Sequence, residues 1–167
     1  MIKTYLELAK VYTRLDQPKT AIDLFKRAMK TYPNEISFLI GLGRIYDLLN
    51  DSLEGVKYYR QVLAVDSSNL EAVASIASYH FYIDQPEVSL RFYKRLVQLG
   101  VDSAEVWNNL GLSCYYDGQY DMFWTCMEKA LTAADEDTIG DIWFNIAHVS
   151  PPNNTPEWSV RAAAYSD

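Results

Sequence analysis

The sequence repeats itself every 34 residues, and no other feature narrows its fold so far. Ala9, Gly43, Ala77 and Gly111 stand at this spacing, each preceded by an aliphatic residue: Leu8, Leu42, Ile76 and Leu110. Three further ladders keep the same phase: Ala21, Gly55, Ser89 and Phe123; Phe25, Tyr59, Tyr93 and Met127; Ala28, Val62, Leu96 and Ala130. A period of this length is that of a helical hairpin, with about thirteen residues of helix A and about fourteen of helix B, each followed by a turn. Small residues at one position of each helix let the two backbones approach, and large apolar residues one turn away fill the neighbouring holes. Tyr12, Tyr46, His80 and Cys114 follow the small residues by three, and are mostly rings expected to fill the space those residues leave. The scattered glycines, Gly41 and Gly43 among them, are read as close-packing positions.

Turn chemistry agrees with the period. Asp16-Gln17-Pro18 recurs as Asp84-Gln85-Pro86, two periods later, and puts proline in the first turn of helix B, where its missing N–H costs nothing. Tyr32-Pro33-Asn34 and Asp66-Ser67-Ser68-Asn69 supply breakers and caps between repeats. The expected helices are 3–15, 18–31, 35–49, 52–65, 69–82, 86–99, 103–116, 120–134 and 140–149. The repeats fall at about 2–35, 36–69, 70–103 and 104–139, with a half repeat at 140–150. Trp143, Ile146 and Ala147 follow Trp107, Leu110 and Gly111 at 36 rather than 34, so two residues are inserted near the acidic turn Asp135-Glu136-Asp137. Pro151-Pro152 must end the last helix, and 151–167 is expected to be a proline-broken tail with a short capping helix over Trp158 to Tyr165.

Composition removes several function classes. With 49% hydrophobic and 22% charged residues the chain can fold around a sizeable core, and its thirteen Tyr and four Trp against seven Gly and six Pro suit helices better than short strands. A formal charge of -7 opposes binding to nucleic-acid backbones or anionic membranes. Two cysteines, Cys114 and Cys126, are too few for a disulfide framework and lack zinc spacing, which suits a reduced, cytoplasmic setting. The first residues carry Lys3, Glu7 and Lys10 instead of a signal-peptide core, and no run of about eighteen apolar residues occurs for direct membrane insertion. Neither His80 nor His148 has a nucleophile or carboxylate at catalytic spacing, and both occupy repeat positions. Phosphate loops, metal triads and paired-carboxylate motifs are absent, so neither an enzyme nor a cofactor is expected.

Trp107, Leu110 and Gly111 in helix A, and Ala21, Phe25, Ala28 and Pro33 in helix B, resemble the tetratricopeptide pattern. Cys114, Phe123 and Val101 depart from it in the fourth repeat. The resemblance covers residues 2 to about 149 and implies an all-α fold, a right-handed α-α superhelix of about four and a half hairpins. Residues the repeat does not dictate, from His80 through Leu96, Asn108 to Leu112 and Gln119 to Met122, resemble the Bardet-Biedl syndrome members of that family. This narrower resemblance implies a structural subunit of the BBSome, a cytosolic coat that carries membrane cargo to and from cilia. Its partners are then other protein subunits of a BBSome-like complex, and its location the cilium, basal body and centrosome region. Family members continue on both sides, so the chain reads as a middle portion or a shortened form.

In tetratricopeptide arrays the concave face is lined by A helices, and transferring that rule gives the candidate binding residues. They are Lys10 and Arg14 in the first repeat, Arg44 in the second, Glu71 and Tyr82 in the third, and Glu105, Asn108, Tyr115 and Tyr116 in the fourth. The groove is thus basic at its start and acidic and aromatic at its end, which fits a partner segment acidic at one end and apolar at the other. The residues alone leave open whether these are binding groups or merely solvated charges and half-packed rings. A carboxylate clamp of the chaperone-tail type is excluded, because Leu6 and Glu71 stand where it needs lysines. Besides the coat subunit, a peptide-binding adaptor or co-chaperone remains open; the period of 34 and the negative charge disfavour RNA-binding repeats.

Overall fold

The computed structural model describes residues 1–149. Among them the chain forms nine helices: α1 (Ile2–Arg14), α2 (Pro18–Met29), α3 (Ile36–Leu48), α4 (Ser52–Val65), α5 (Leu70–Tyr82), α6 (Pro86–Gln98), α7 (Ala104–Tyr116), α8 (Tyr120–Ala133) and α9 (Ile139–His148). Each bound lies within two residues of its expected place. The expected tail helix lies outside the described residues. Pro18 and Pro86 occupy the first turn of α2 and α6, as read from the sequence. Asp51, Asn69 and Ser103 cap α4, α5 and α7, accepting from the backbone N–H of Glu54, Ala72 and Val106.

The A-to-B turns share one backbone device. Asp16, Asn50, Asp84 and Gly118 all have positive φ, at 55°, 57°, 59° and 79°, and they stand one period apart. The next N–H reaches back to the carbonyl of Tyr12, Tyr46, His80 or Cys114 at 2.8 to 2.9 Å, while the positive-φ residue donates to the carbonyl three before it. These are Schellman closures, which satisfy helix-end carbonyls through one left-handed residue. Asp and Asn tolerate that conformation and glycine adopts it freely, so the turn has one geometry despite three residue types.

By its contacts the chain divides into two compact units, Met1–Tyr79 and from His80 onward, with the division inside α5. In the first, Phe38 is fully buried, with Phe25 at 5.6 Å and the rings of Tyr5 and Tyr32 edge-on at 6.0 and 6.4 Å. Ala9, Ala21, Leu24, Ala28, Leu42 and Ile45 complete this core. Its glycines show which groups fill the small positions. A Cβ on Gly43 would lie 2.6 Å from the Tyr59 ring, and one on Gly41 2.6 Å from Phe25. The filling ring therefore comes from helix B, and not from the residue three positions on. Tyr46 instead stacks on Tyr58 at 5.6 Å, and its hydroxyl accepts from Lys26 at 3.3 Å.

In the second unit α7 and α8 pack through Leu110, Cys114, Phe123, Met127 and Ala130, and α9 adds buried Ile142, Trp143 and Ile146. Gly111 is again a close-packing site, its Cβ position 2.8 Å from Met127 Cε. Gly100, Gly118 and Gly140 are not: a Cβ there meets nothing within 4 Å. The first two are instead turn residues of positive φ. Cys114 and Cys126 are fully buried free thiols, and the neighbouring Cys114 thiol together with burial pushes the Cys126 thiol up. The two extra residues before α9 are absorbed in a loop closed by Asp135 and Thr138: the Asp135 carboxylate accepts from the Thr138 N–H at 2.9 Å and its hydroxyl at 2.7 Å.

Candidate functional site

The A helices leave clefts because their small and medium residues bring neighbouring hairpins close while long side chains stand along the rims. In the first unit a cleft of about 280 Å³ lies on α1 and α3. Leu6, Ala9, Gly41, Ile45 and Phe25 line it together with three cationic side chains, Lys10, Arg14 and Arg44. The expected basic groove is therefore one surface. Two of its cations have acidic company: Lys10 Nζ donates to Glu7 at 2.8 Å, and Arg44 grips both oxygens of Glu71 at 2.5 and 2.6 Å. This fork holds the Arg44 guanidinium above its ordinary pKa, and with side chains 63% and 36% exposed it contributes at most about 1 kcal/mol. Arg44 and Glu71, read separately as binding groups, thus form one ion pair between α3 and α5.

Below that pair Tyr59 donates to Asp47 at 2.8 Å. Burial raises the Asp47 carboxyl above the usual carboxylate range despite that bond, and burial with the carboxylate beside it pushes the Tyr59 phenol up strongly. Tyr59, 3% exposed and packed on Gly43, holds helices rather than faces a ligand, and Asp47 accepts its bond from an exposed position on α3.

Among the described residues of the second unit lie two further clefts. The smaller, of about 260 Å³, is lined by Phe81, Tyr82, Asp84, Pro86 and Tyr116. The larger, of about 430 Å³, is lined by Tyr82, Glu105, Asn108, Asn109, Thr138, Asp141, Ile142, Phe144 and Asn145. Tyr82 and Tyr116 are well exposed, at 83% and 55%. Tyr115 lines neither cleft; it braces Tyr116 from behind at 5.3 Å and meets Tyr120 and Phe123, both at 5.5 Å. Asn108 is 8% exposed and acts mainly inside the wall, accepting from Asn145 at 3.1 Å and donating to Asn109 at 3.2 Å. His80 is likewise structural: it is buried, stacks on Phe92 and has Nδ1 2.7 Å from Gln85 Oε1.

Sequence reasoning missed Asp141, Phe144 and Asn145, although the signal was present. The step of 36 that relates Trp143 to Trp107 also relates Asp141 to Glu105 and Phe144 to Asn108, and applying the groove rule across that slip finds both, with Asn145 beside them. Asp84 and Pro86 were missed because they lie outside helix A, Asp84 in the turn and Pro86 at the start of α6. No group of three potential metal ligands occurs among the described residues, and no helix there is long and apolar enough to cross a membrane.

Comparison with known proteins extends this picture. Over 151 residues the chain is 49% identical to tetratricopeptide repeat protein 8 of Mus musculus, a match covering 90% of this chain and 29% of that protein. The Caenorhabditis elegans protein of that name is 34% identical over 149 residues, 89% of this chain and 29% of its own length. BBSome complex member BBS4 of Bos taurus is 24% identical over 76% of this chain and 24% of that protein. The chain thus spans less than a third of the length of these relatives. Among solved structures, a crystal structure of MamA protein superposes with a TM-score of 0.82 at 19% identity, covering 98% of this chain and 87% of that one, which speaks for the fold alone. Tetratricopeptide repeat models match residues 2–45, 36–69 and 104–137. With hairpins of one period, small residues packed against helix-B rings and these matches, the chain belongs to the tetratricopeptide repeat family.

Proposed function

We propose that this chain is a non-enzymatic protein-interaction scaffold, a BBSome-like coat subunit serving ciliary membrane-protein trafficking and ciliogenesis from the cytoplasm, cilium and basal body region. The observation that carries the reading is the 49% identity to tetratricopeptide repeat protein 8 along 90% of the chain, which extends beyond positions the repeat dictates. A second relative is by its name a BBSome complex member. The geometry supports a scaffold because its recesses are open clefts with charged and aromatic rims, suited to side chains of another protein. Stable co-purification with large folded BBSome subunits from ciliated-cell lysate, read by mass spectrometry, is the expected result; recovery of chaperones alone overturns it.

The N-terminal cleft favours a second reading, an adaptor that binds a peptide segment. Its apolar floor under Lys10, Arg14 and Arg44 fits an acidic segment with an apolar anchor. An adaptor binds such a peptide at micromolar affinity and loses it when Arg14 is changed to Glu, whereas a coat subunit shows little affinity for isolated peptides.

A further inference from the structure

The two clefts of the C-terminal unit share one wall, Tyr82, and share a chemistry. Three rings border the smaller cleft: Phe81 meets Tyr82 at 5.8 Å with planes at 83°, and meets Tyr116 at 5.7 Å with planes at 68°. Walls this close to perpendicular form a cage, and Asp84 closes it from the positive-φ turn. Across Tyr82 the larger cleft adds the carboxylates of Glu105 and Asp141. Among the described residues, the lining of both clefts contains no Lys, Arg or His.

An aromatic face presents negative charge, and so does a carboxylate; both are complemented by a cation. An aliphatic side chain seated here strips water from carboxylates and gives them no partner, which is unfavourable. An anionic group is repelled outright. Among cations, the planar guanidinium matches the site better than an ammonium, because it stacks on a ring while its edge donates to a carboxylate. We propose that the clefts flanking Tyr82 receive arginine side chains from a basic, extended segment of a partner protein, with Tyr82 as the shared stacking platform. The proposal deepens the scaffold reading and rests on it. It also reverses the polarity expected of the partner at this end, since the sequence suggested an apolar anchor.

A short capped alanine peptide carrying two arginines, and its twin in which both are citrulline, are titrated to millimolar concentration into the full chain and followed by amide chemical shifts. The arginine peptide is expected to shift residues around Tyr82, Tyr116 and Glu105, with the citrulline twin silent and the effect falling with added salt. Tyr82→Ala should weaken binding by about fivefold, in line with one cation–π contact, and Glu105→Gln should weaken it without removing the ring. Tyr82 is 83% exposed, so its removal leaves the fold intact, which far-UV circular dichroism verifies. Absence of shifts, equal shifts from the citrulline twin, or unchanged binding in Tyr82→Ala overturns the proposal. Incorporation into a BBSome-like complex is a separate readout, so failure of the cage and failure of the coat reading are distinguishable.

Discussion

A left-handed residue recurs at 16, 50, 84 and 118, and its energetics can be isolated at the last of these. Gly118 has φ of 79° and an open Cβ position. Gly118→Ala therefore meets no neighbour and pays only the conformational cost, about 1 kcal/mol; the loss should appear in the urea midpoint with an unchanged m-value. Asn50→Gly should raise stability or leave it level at the equivalent turn. Asp47 offers a pH test. Burial raises its pKa in the folded protein despite the Tyr59 bond, so the folded state binds its proton more readily than the unfolded chain does. Its contribution is complete below the ordinary carboxylate value of about 3.9 and is lost as pH rises through the raised value. Wild type should gain on Asp47→Asn when urea titrations are moved from pH near 7 to pH near 4; a constant gap contradicts the assignment.

Hairpin by hairpin, the helices were legible because the apolar ladders, two prolines and the capping residues all point to the same boundaries. The partner of each small residue was not, since a period says which positions are equivalent and not which of them touch. Gly43 illustrates this: Tyr46 and Tyr59 are both rings of the same repeat, and only the packing of α3 on α4 selects Tyr59. Gly43→Ala should cost about 1–3 kcal/mol, because the ring it displaces is buried and tied to Asp47; a shift in near-ultraviolet circular dichroism should accompany the loss. Proline sites can also be extended. Gln17 and Gln85, which precede Pro18 and Pro86, have ψ of 59° and 64°, and Asp51 already has ψ of 62°. Ser52→Pro should therefore fit α4 without strain and stabilise by about 0.4–1 kcal/mol through the unfolded chain, as thermal unfolding would show.

At the scale of the molecule, repeat arrays draw their stability largely from near neighbours, and by its contacts this chain divides into two units inside α5. Leu42 is fully buried in the first unit, so Leu42→Ala should remove about 2–5 kcal/mol there. Hydrogen exchange should show the loss of protection concentrated in peptides from residues 1–79, with those from 80–149 less affected; uniform loss would mean the chain unfolds as one piece. Within each unit the candidate residues that line a cleft were legible because they recur at helix-A positions of the repeat. Their pairing was not: Arg44 and Glu71 lie 27 positions apart in different repeats, and the burial of Asn108 depends on α9 beyond the change of period. That change has a use. Every A-to-B turn is locked by a left-handed residue and a fixed pair of backbone bonds, so added length there breaks the closure. Between α8 and α9 two extra residues are already carried in the loop closed by Asp135 and Thr138. The joint between α8 and α9 is thus where the array accepts added length, and an epitope or fluorophore-binding loop grafted there would report on the chain without disturbing a hairpin.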